Sequence, residues 1–227
     1  MNGARNPVKA VQNTITILAK IRELDGVGIT TLEQHLSLSK GTIHCHLATL
    51  EEAGFVIKEN DKYHLGLQFL DFAHQVRKRY QILDIVEDEV DRLAKESGEL
   101  ALFTVEENTQ GICLYKSEGQ NAVQTELYVG YRNELYHTAV GKAILAFLPE
   151  DRRQSIIEQK PLESITENTI TDKDDLREEI EEIRERGFAY NQEETIQGLV
   201  GIGAPVRDQQ GNVLGAVSVI GPSSALI

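Results

Sequence analysis

Residues 39–52, SKGTIHCHLATLEE, bring together side chains suited to contact chemistry on one short helix. Set out at about 100° per residue, Ile43, Leu47 and Leu50 fall on one side. Gly41, Cys45, Ala48, Thr49 and Glu52 fall opposite, with Lys40, Thr42, His44 and His46 on the flanks. That outer face is small and nearly uncharged. Thr42, Ala48 and Thr49 suit thymine methyls or offer a hydroxyl to a base edge, and no arginine is present to grip guanine at two points. Phosphate contacts then fall to Lys40, to Lys58 and Lys62 downstream, and to Arg5 and Lys9 upstream. His44-Cys45-His46 also has metal-ligating residue types. Residues two apart on a helix point about 200° from each other, so the trio does not close on one ion and no metal is assigned. His46, nearest the apolar side, reads as a packing residue, and Glu51 and Glu52 as a solvated face.

These side chains need a frame. Residues 9–24 set Val11, Ile15, Leu18, Ile21 and Leu24 at steps of three and four, one face of a helix that Asp25-Gly26 stops. Thr31 opens the next helix with Gln34 as its capping-box partner, and Leu32 and Leu36 give it an inner face. The third helix runs from Ser39 or Lys40 to Ala53, and Gly54 ends it where a left-handed residue costs glycine little. FVIKENDKYHLG then alternates as two strands around Glu59-Asn60-Asp61. Helix, turn, helix and hairpin from Thr31 to Gly66 make a winged helix-turn-helix, a module that sets its second helix in the major groove of DNA.

The net charge of −13 speaks against nucleic acid until it is divided along the chain. Residues 1–66 hold seven Lys/Arg and seven Asp/Glu, whereas residues 67–227 hold 16 and 29 and carry the whole excess. A neutral head on an acidic body is compatible with DNA binding, because the field near the contact surface governs approach. The acidity reads either as a solvating surface or as adaptation to a salty cytoplasm, where phosphate contacts weaken and shape and base contacts must do more. No apolar run approaches the roughly 18 residues of a membrane span, so no membrane partner is expected. MNGARNPVKAV lacks the apolar core of a signal peptide. With Cys45 and Cys113 as the two cysteines, a reduced cytoplasmic protein is expected rather than a disulfide framework.

From Leu67 to Ser97 the period is helical again. Leu67, Leu70, Ala73, Val76 and Tyr80 form one stripe and Leu83, Val86, Val90, Leu93 and Ala94 another, with a bend near Tyr80-Gln81. Residues 67–97 thus read as linker helices between a head, 1–66, and a second domain, 98–227. There ELALFTVEE, GICLYKS and AVQTELYVG read as strands. TAVGKAILAFL and the stretch from Glu150 to Gln159 read as helices. DKDDLREEIEEIRERG is a charged helix with Leu176, Ile180 and Ile183 inside and Gly187 at its end. LVGIGAPV and NVLGAVSVIG read as strands around Asp208-Gln209-Gln210-Gly211. Strands beside strands predict an α+β fold with a mainly antiparallel sheet and helices packed on it.

Three spaced blocks occur in order: LSKGTIHCHLATLEEAGFV with a wing ending in YHLG, LYHTAVGKAILAFLP at 135–149, and YNQEETIQGLVGIGAPVRDQQGNVLGAVSVIGP at 190–222. Together, and over nearly the whole length, they resemble the IclR family of transcriptional regulators, with its GKAxLA segment, Glu-x-x-x-Gly strand and terminal Gly-Pro. The resemblance implies a winged-helix head, a linker helix and a C-terminal effector domain related to the GAF fold. It implies homodimers through heads and linkers, often paired into homotetramers, and an operator in double-stranded DNA. It also implies a small metabolite, frequently an organic, aromatic or sugar acid, that controls repression or activation.

Carried over residue by residue, the resemblance frames an effector pocket with Thr138, Ala139 and Val140 at the start of the GKA helix. Across from them come Asn191, Glu193, Glu194, Leu199 and Gly201, with Ser218 on the last strand. Elementary chemistry is compatible. A helix N-terminus offers free N–H groups to an anion, Gly201 and Gly203 admit a ligand near backbone, and Arg132 can pair with a carboxylate. Lys142 is expected to pack or pair structurally. Two departures stand out. Many members carry Arg where this chain has Cys45, which predicts a different or weaker operator preference. Members usually continue beyond the Gly-Pro as a closing helix, so a chain ending at Ile227 is expected to close its pocket or pack its tetramer less well.

These features point to a metabolite-responsive regulator in which effector binding shifts two heads against half-sites one helical turn apart. No cofactor is implied. One rival is an effector-independent protein that bridges DNA. Another is an enzyme using the head as a localiser, but the sequence has no GxSxG elbow, HExxH or P-loop. Its second part offers only His74 and His137, with His74 on the linker, and Glu193 and Glu194 would face opposite sides of a strand.

Overall fold

The computed structural model describes residues 6–226, so the expectation for Arg5 lies outside the described residues. These residues form two units, one running to Gln81 and the other from Ile82. The first contains α1 (Lys9–Glu23), α2 (Ile29–His35), α3 (Lys40–Glu52), the hairpin β1 (Val56–Glu59) and β2 (Lys62–Leu65), and α4 (Gln68–Lys78). Its core gathers Ile17, Ile21, Leu32, Ile43, Leu47 and Val56.

The expected α1 face holds in its second half, where Ile21 is buried and Leu18 and Leu24 pack on the core; Ile17 joins them, while Val11 and Ile15 are exposed. This helix carries apolar residues on two sides, and periodicity does not say how much of either its own head covers. A second correction concerns α2, which begins at Ile29 without a side-chain cap, so no Thr31–Gln34 box opens it. Val27 exchanges two backbone hydrogen bonds with Tyr63 of the wing, at 3.1 and 2.9 Å. That pairing holds the chain extended up to Gly28, from which the helix starts at once. The wing closes through Asn60 and Asp61, both left-handed at φ 47° and 64°, between the paired Glu59 and Lys62. Two such residues are what a two-residue type I′ hairpin requires.

No residue of α4 is buried. The expected bend is a break between Lys78 and α5 (Leu83–Ser97). Because α4 falls in the first unit and α5 in the second, the expected 67–97 linker divides between them.

The second unit is built on six antiparallel strands in the order β5-β4-β3-β8-β7-β6. In chain order these are β3 (Leu100–Glu107), β4 (Gln110–Glu118), β5 (Arg132–Glu134), β6 (Ala189–Gln192), β7 (Leu199–Arg207) and β8 (Val213–Pro222). Between them lie α6 (Ala139–Phe147), α7 (Glu150–Gln159) and α8 (Lys173–Arg186), and the short α9 (Ser223–Leu226) follows. Helix α5 buries Leu83, Val86, Val90 and Ala94 and packs on β3, β4 and β8. Helix α6 lies on β7 and β8, with α8 against its outer side. Gly203 on β7 lets α6 come this close, since a Cβ there would sit 2.6 Å from the carbonyl carbon of Ala139.

Residues 122–130 do not form the expected strand. The open edge of β4 is taken by other groups: β5 pairs with Gln110 to Ile112, and Cys113 bonds to Tyr131 O and Gly130 N at 3.0 and 2.7 Å. The 122–130 segment is left to cross as a loop, with Leu127 turned against the core.

Candidate functional site

In the head, Ser39 caps α3 by accepting from the Thr42 N–H at 3.2 Å, and Gly54, at φ 75°, follows its C-terminal end. Ile43, Leu47 and Leu50 are buried, which turns Gly41, His44, Cys45, Ala48 and Thr49 to the outside. The Thr49 hydroxyl donates to the Cys45 carbonyl at 3.0 Å, and the Thr42 hydroxyl lies 3.0 Å from that of Ser39. The outward face is therefore made of methyl groups, a methylene thiol and bare backbone, with the His44 imidazole beside them. His46 turns inward, where its Nδ1 meets the Thr14 hydroxyl of α1 at 2.8 Å.

The cations around this face are partly engaged. Lys40 lies 3.5 Å from Glu33, and Lys58 lies 3.0 Å from Asp61 across the wing tip. The Asp61 carboxylate pushes the Lys58 ammonium up from its ordinary pKa. Both pairs are exposed, so opening either costs little. Lys9 at the start of α1 and Lys62 on the wing stand exposed.

The second unit encloses a cavity of about 460 Å³ between the sheet, the start of α6 and the 191–199 segment. Of the residues expected there, Arg132, Thr138, Ala139, Val140, Asn191, Leu199, Gly201 and Ser218 line it. The Thr138 hydroxyl caps α6 by accepting from the Gly141 N–H at 3.1 Å. Ala139 and Val140 are the first residues of this helix, whose opening N–H groups have no partner within the helix. Asn191 is committed to the protein: its amide donates to the His137 carbonyl at 2.8 Å and accepts from the Glu194 N–H at 3.0 Å. It shapes the wall instead of offering a free polar group. Arg132 is half exposed, 3.9 Å from Glu107.

Glu193 and Glu194 do not line this cavity, a correction to the sequence reading. Strand β6 ends at Gln192, and Glu193 is left-handed at φ 61°, so the two glutamates are not strand neighbours. The Glu193 carboxylate accepts from the Gly198 N–H at 2.9 Å and closes the loop. Glu194 instead turns inward and pairs with Lys142 at 2.6 Å, both side chains almost wholly buried. Burial raises the Glu194 carboxyl above its ordinary pKa despite the Lys142 charge. The pair anchors the segment from which Thr195 and Ile196 reach the cavity.

Thr104, Gln110, Tyr131 and His137 also line the cavity, and no motif in the sequence marks them for it. Thr104 is the polar residue in the apolar run LALFTV, a weak signal that a buried strand there faces something polar. His137 precedes the α6 cap, is buried, and has a buried Nδ1 with no hydrogen-bond partner. Burial lowers its imidazole below the ordinary pKa. Its ring meets Tyr136 edge-on at 4.8 Å. His137, Glu134 and Ile165 also line a second cavity of about 200 Å³, with Leu145, Ile156 and Leu176 as apolar wall. Burial pushes the Glu134 carboxyl up, but hydrogen bonds from Lys160 and Gln110 outweigh it and hold the group below the usual carboxylate range.

Known proteins share this arrangement. A family model described as the IclR helix-turn-helix domain matches residues 10–59, and one described as bacterial transcriptional regulator IclR C-terminal matches residues 74–227. The chain is 35% identical over 229 residues to the probable HTH-type transcriptional regulator ArcR of Halobacterium salinarum, covering 99% of this chain and 87% of that one. The crystal structure of Thermotoga maritima IclR superposes with a TM-score of 0.80 at 29% identity, covering 96% of this chain and 89% of that one. A Microbacterium hydrocarbonoxydans IclR homolog, solved in complex with 4-hydroxybenzoate, shares the fold with a TM-score of 0.77 at 19% identity, covering 94% and 91%.

Proposed function

The chain belongs to the IclR family of DNA-binding transcriptional regulators, and from that premise we propose that a small carboxylate held in the larger cavity sets its affinity for an operator. The observation that carries this reading is the opening of α6 into an apolar-walled cavity of about 460 Å³ with the Thr104 and Ser218 hydroxyls on its wall. Helix N-termini favour anions through free N–H groups and the dipole, and a concave apolar site with a few convergent polar groups is the usual form of a small-ligand site. Arg132 at the lining adds a guanidinium able to meet a carboxylate. The relative with 4-hydroxybenzoate bound supports an aromatic acid among the candidates. Such a cavity gives an effector-independent DNA-bridging role no use for its second domain, and the relatives are named as regulators, not enzymes.

DNA contact falls to α3 with Gly41, Thr42, His44, Cys45, Ala48 and Thr49 towards the bases, and to Lys9, Lys40, Lys58 and Lys62 towards phosphate. The active form is a homodimer, or two such dimers paired. Val8, Val11 and Ile15 by α1, and Leu67, Leu70, Phe72 and Val76 by α4, leave apolar stripes exposed in the head, as expected of surfaces that meet another chain. Ligand binding changes how two heads meet their half-sites, so loss of operator occupancy on binding is repression relieved by the effector. No described helix is long and apolar enough to cross a membrane, and the protein acts in the cytoplasm beside its DNA.

The test is a gel-shift series with palindromic fragments from the DNA upstream of its own gene, with and without carboxylates. Salt-sensitive retardation that a carboxylate alters is the expected result. Absence of retardation on every fragment, even at low salt, sinks the operator reading. A ligand-induced thermal shift that Arg132→Ala leaves unchanged removes Arg132 from the site.

A further inference from the structure

We propose that His137 is the proton-coupled partner of the effector: the bound carboxylate draws a proton onto its imidazole, so that effector binding takes up a proton and strengthens as pH falls. This deepens the carboxylate reading of the cavity and rests on it. His137 comes directly before the α6 cap, lines both cavities and keeps a buried Nδ1 without a hydrogen-bond partner. That Nδ1 is sealed from solvent, so a ligand in the larger cavity acts on the ring through its charge, from the wall the ring shares with the start of α6.

The charges around the ring decide its state. Glu134 on β5 favours the imidazolium, and Lys142 on α6 opposes it. Arg132 and Glu126 line the larger cavity with His137, and Lys160 and Glu163 line the smaller one. Glu134 is already engaged by Lys160 and Gln110, and the positive end of α6 adds to the opposition. In the free protein burial and these cations together hold the ring neutral. A carboxylate at the helix start brings a full negative charge beside the ring and reverses that balance, because an opposite charge within a few ångströms favours the charged form. The proton comes from solvent, and the imidazolium then stands as the counter-charge of the bound carboxylate. By linkage, affinity rises by up to about tenfold per pH unit between the free and bound midpoints of the ring.

The experiment uses the full chain. A thermal-shift panel of carboxylates, including benzoate, 4-hydroxybenzoate and gluconate, is run at about pH 6 and about pH 8, with benzamide and 4-hydroxybenzamide as uncharged controls. The carboxylate giving the largest shift is then titrated calorimetrically in two buffers of different ionisation heat, which counts protons taken up by the unaltered protein. His137→Asn, which keeps a hydrogen-bonding group without the titration, is measured alongside. The expected result is several-fold tighter carboxylate binding at the lower pH with net proton uptake, both lost in His137→Asn. Carboxylate binding without proton uptake, or with the same uptake in His137→Asn, overturns the role of His137 and leaves the cavity reading standing. A panel in which no carboxylate binds at either pH overturns the cavity reading and this inference together.

Discussion

Replacing Lys142 with methionine takes a charge away from Glu194 while keeping the length and apolar stem of the side chain. The two groups lie 2.6 Å apart with side-chain exposures of 2% and 5%, and Glu179 is 3.8 Å away. Removing one partner of such a pair leaves an uncompensated buried charge, at a cost of about 3–5 kcal/mol. For a unit of this size each kcal/mol lowers the melting midpoint by roughly 2–4 °C, so a fall of roughly 6–20 °C is expected in scanning calorimetry. The pH dependence has a definite sign. Burial already raises the Glu194 carboxyl above its ordinary range, and losing the ammonium raises it further. A carboxyl raised on folding stabilises the folded state fully only below its unfolded pKa, and that stability is lost as pH rises through the folded pKa. The deficit of Lys142→Met should therefore be small near about pH 5 and largest above neutrality. Adding Glu194→Leu removes the stranded carboxyl and should restore most of the stability, since well-packed apolar replacements of buried pairs are often neutral. A single-variant loss under about 1 kcal/mol, or one that deepens towards acid pH, would refute the reasoning.

Gly203→Ala drives a methyl to within 2.6 Å of backbone at Ala139. Its expected cost is roughly 1–3 kcal/mol in urea unfolding, with weaker ligand stabilisation because the start of α6 must move off β7. Cys45→Arg should create a preference for guanine at one operator position worth about 1–3 kcal/mol. Competition gels read it, and an unchanged base preference means Cys45 does not face the bases. Lys62→Ala should lower the slope of log affinity against log salt by about 0.9, and an unchanged slope removes this lysine from the phosphate contacts.

What the sequence disclosed followed local rules. Ser39 before the third helix, Gly54 after it and Asn60-Asp61 in the wing act through their own backbone neighbours, so their residue types suffice to read them. The failures arose where a distant segment decides. AVQTELYVG has strand-forming residues, yet the β4 edge was already taken by residues 130–134. The α1 stripe holds for Leu18, Ile21 and Leu24 but not for Val11 and Ile15, because the rest of the head covers only the later turns and takes Ile17 with them. Short β6, with exposed Tyr190 and Gln192, has too little apolar alternation to announce itself. The cavity exists only once α6 lies across the sheet. Thr138 to Val140 were legible through the motif they belong to, whereas Thr104 and His137 were not. Glu194 matched the motif and yet serves behind the cavity, because Lys142 across α6 captures its carboxylate.

The pairing of Lys40 with Glu33 and of Lys58 with Asp61 bears on how this protein finds its target. Attachment to random DNA is almost entirely an exchange of cations for phosphate counterions. Under the proposed contacts, Lys40 and Lys58 would gain slightly less from that exchange, since each must first leave an exposed carboxylate worth at most about 1 kcal/mol. Base contacts at the operator lose nothing by it. Since a genome offers vastly more wrong sites than right ones, what matters is the ratio of the two affinities weighted by their numbers. Under the proposed contacts the two pairs open on operator and random DNA alike, so they lower grip on both and leave discrimination to the face of α3.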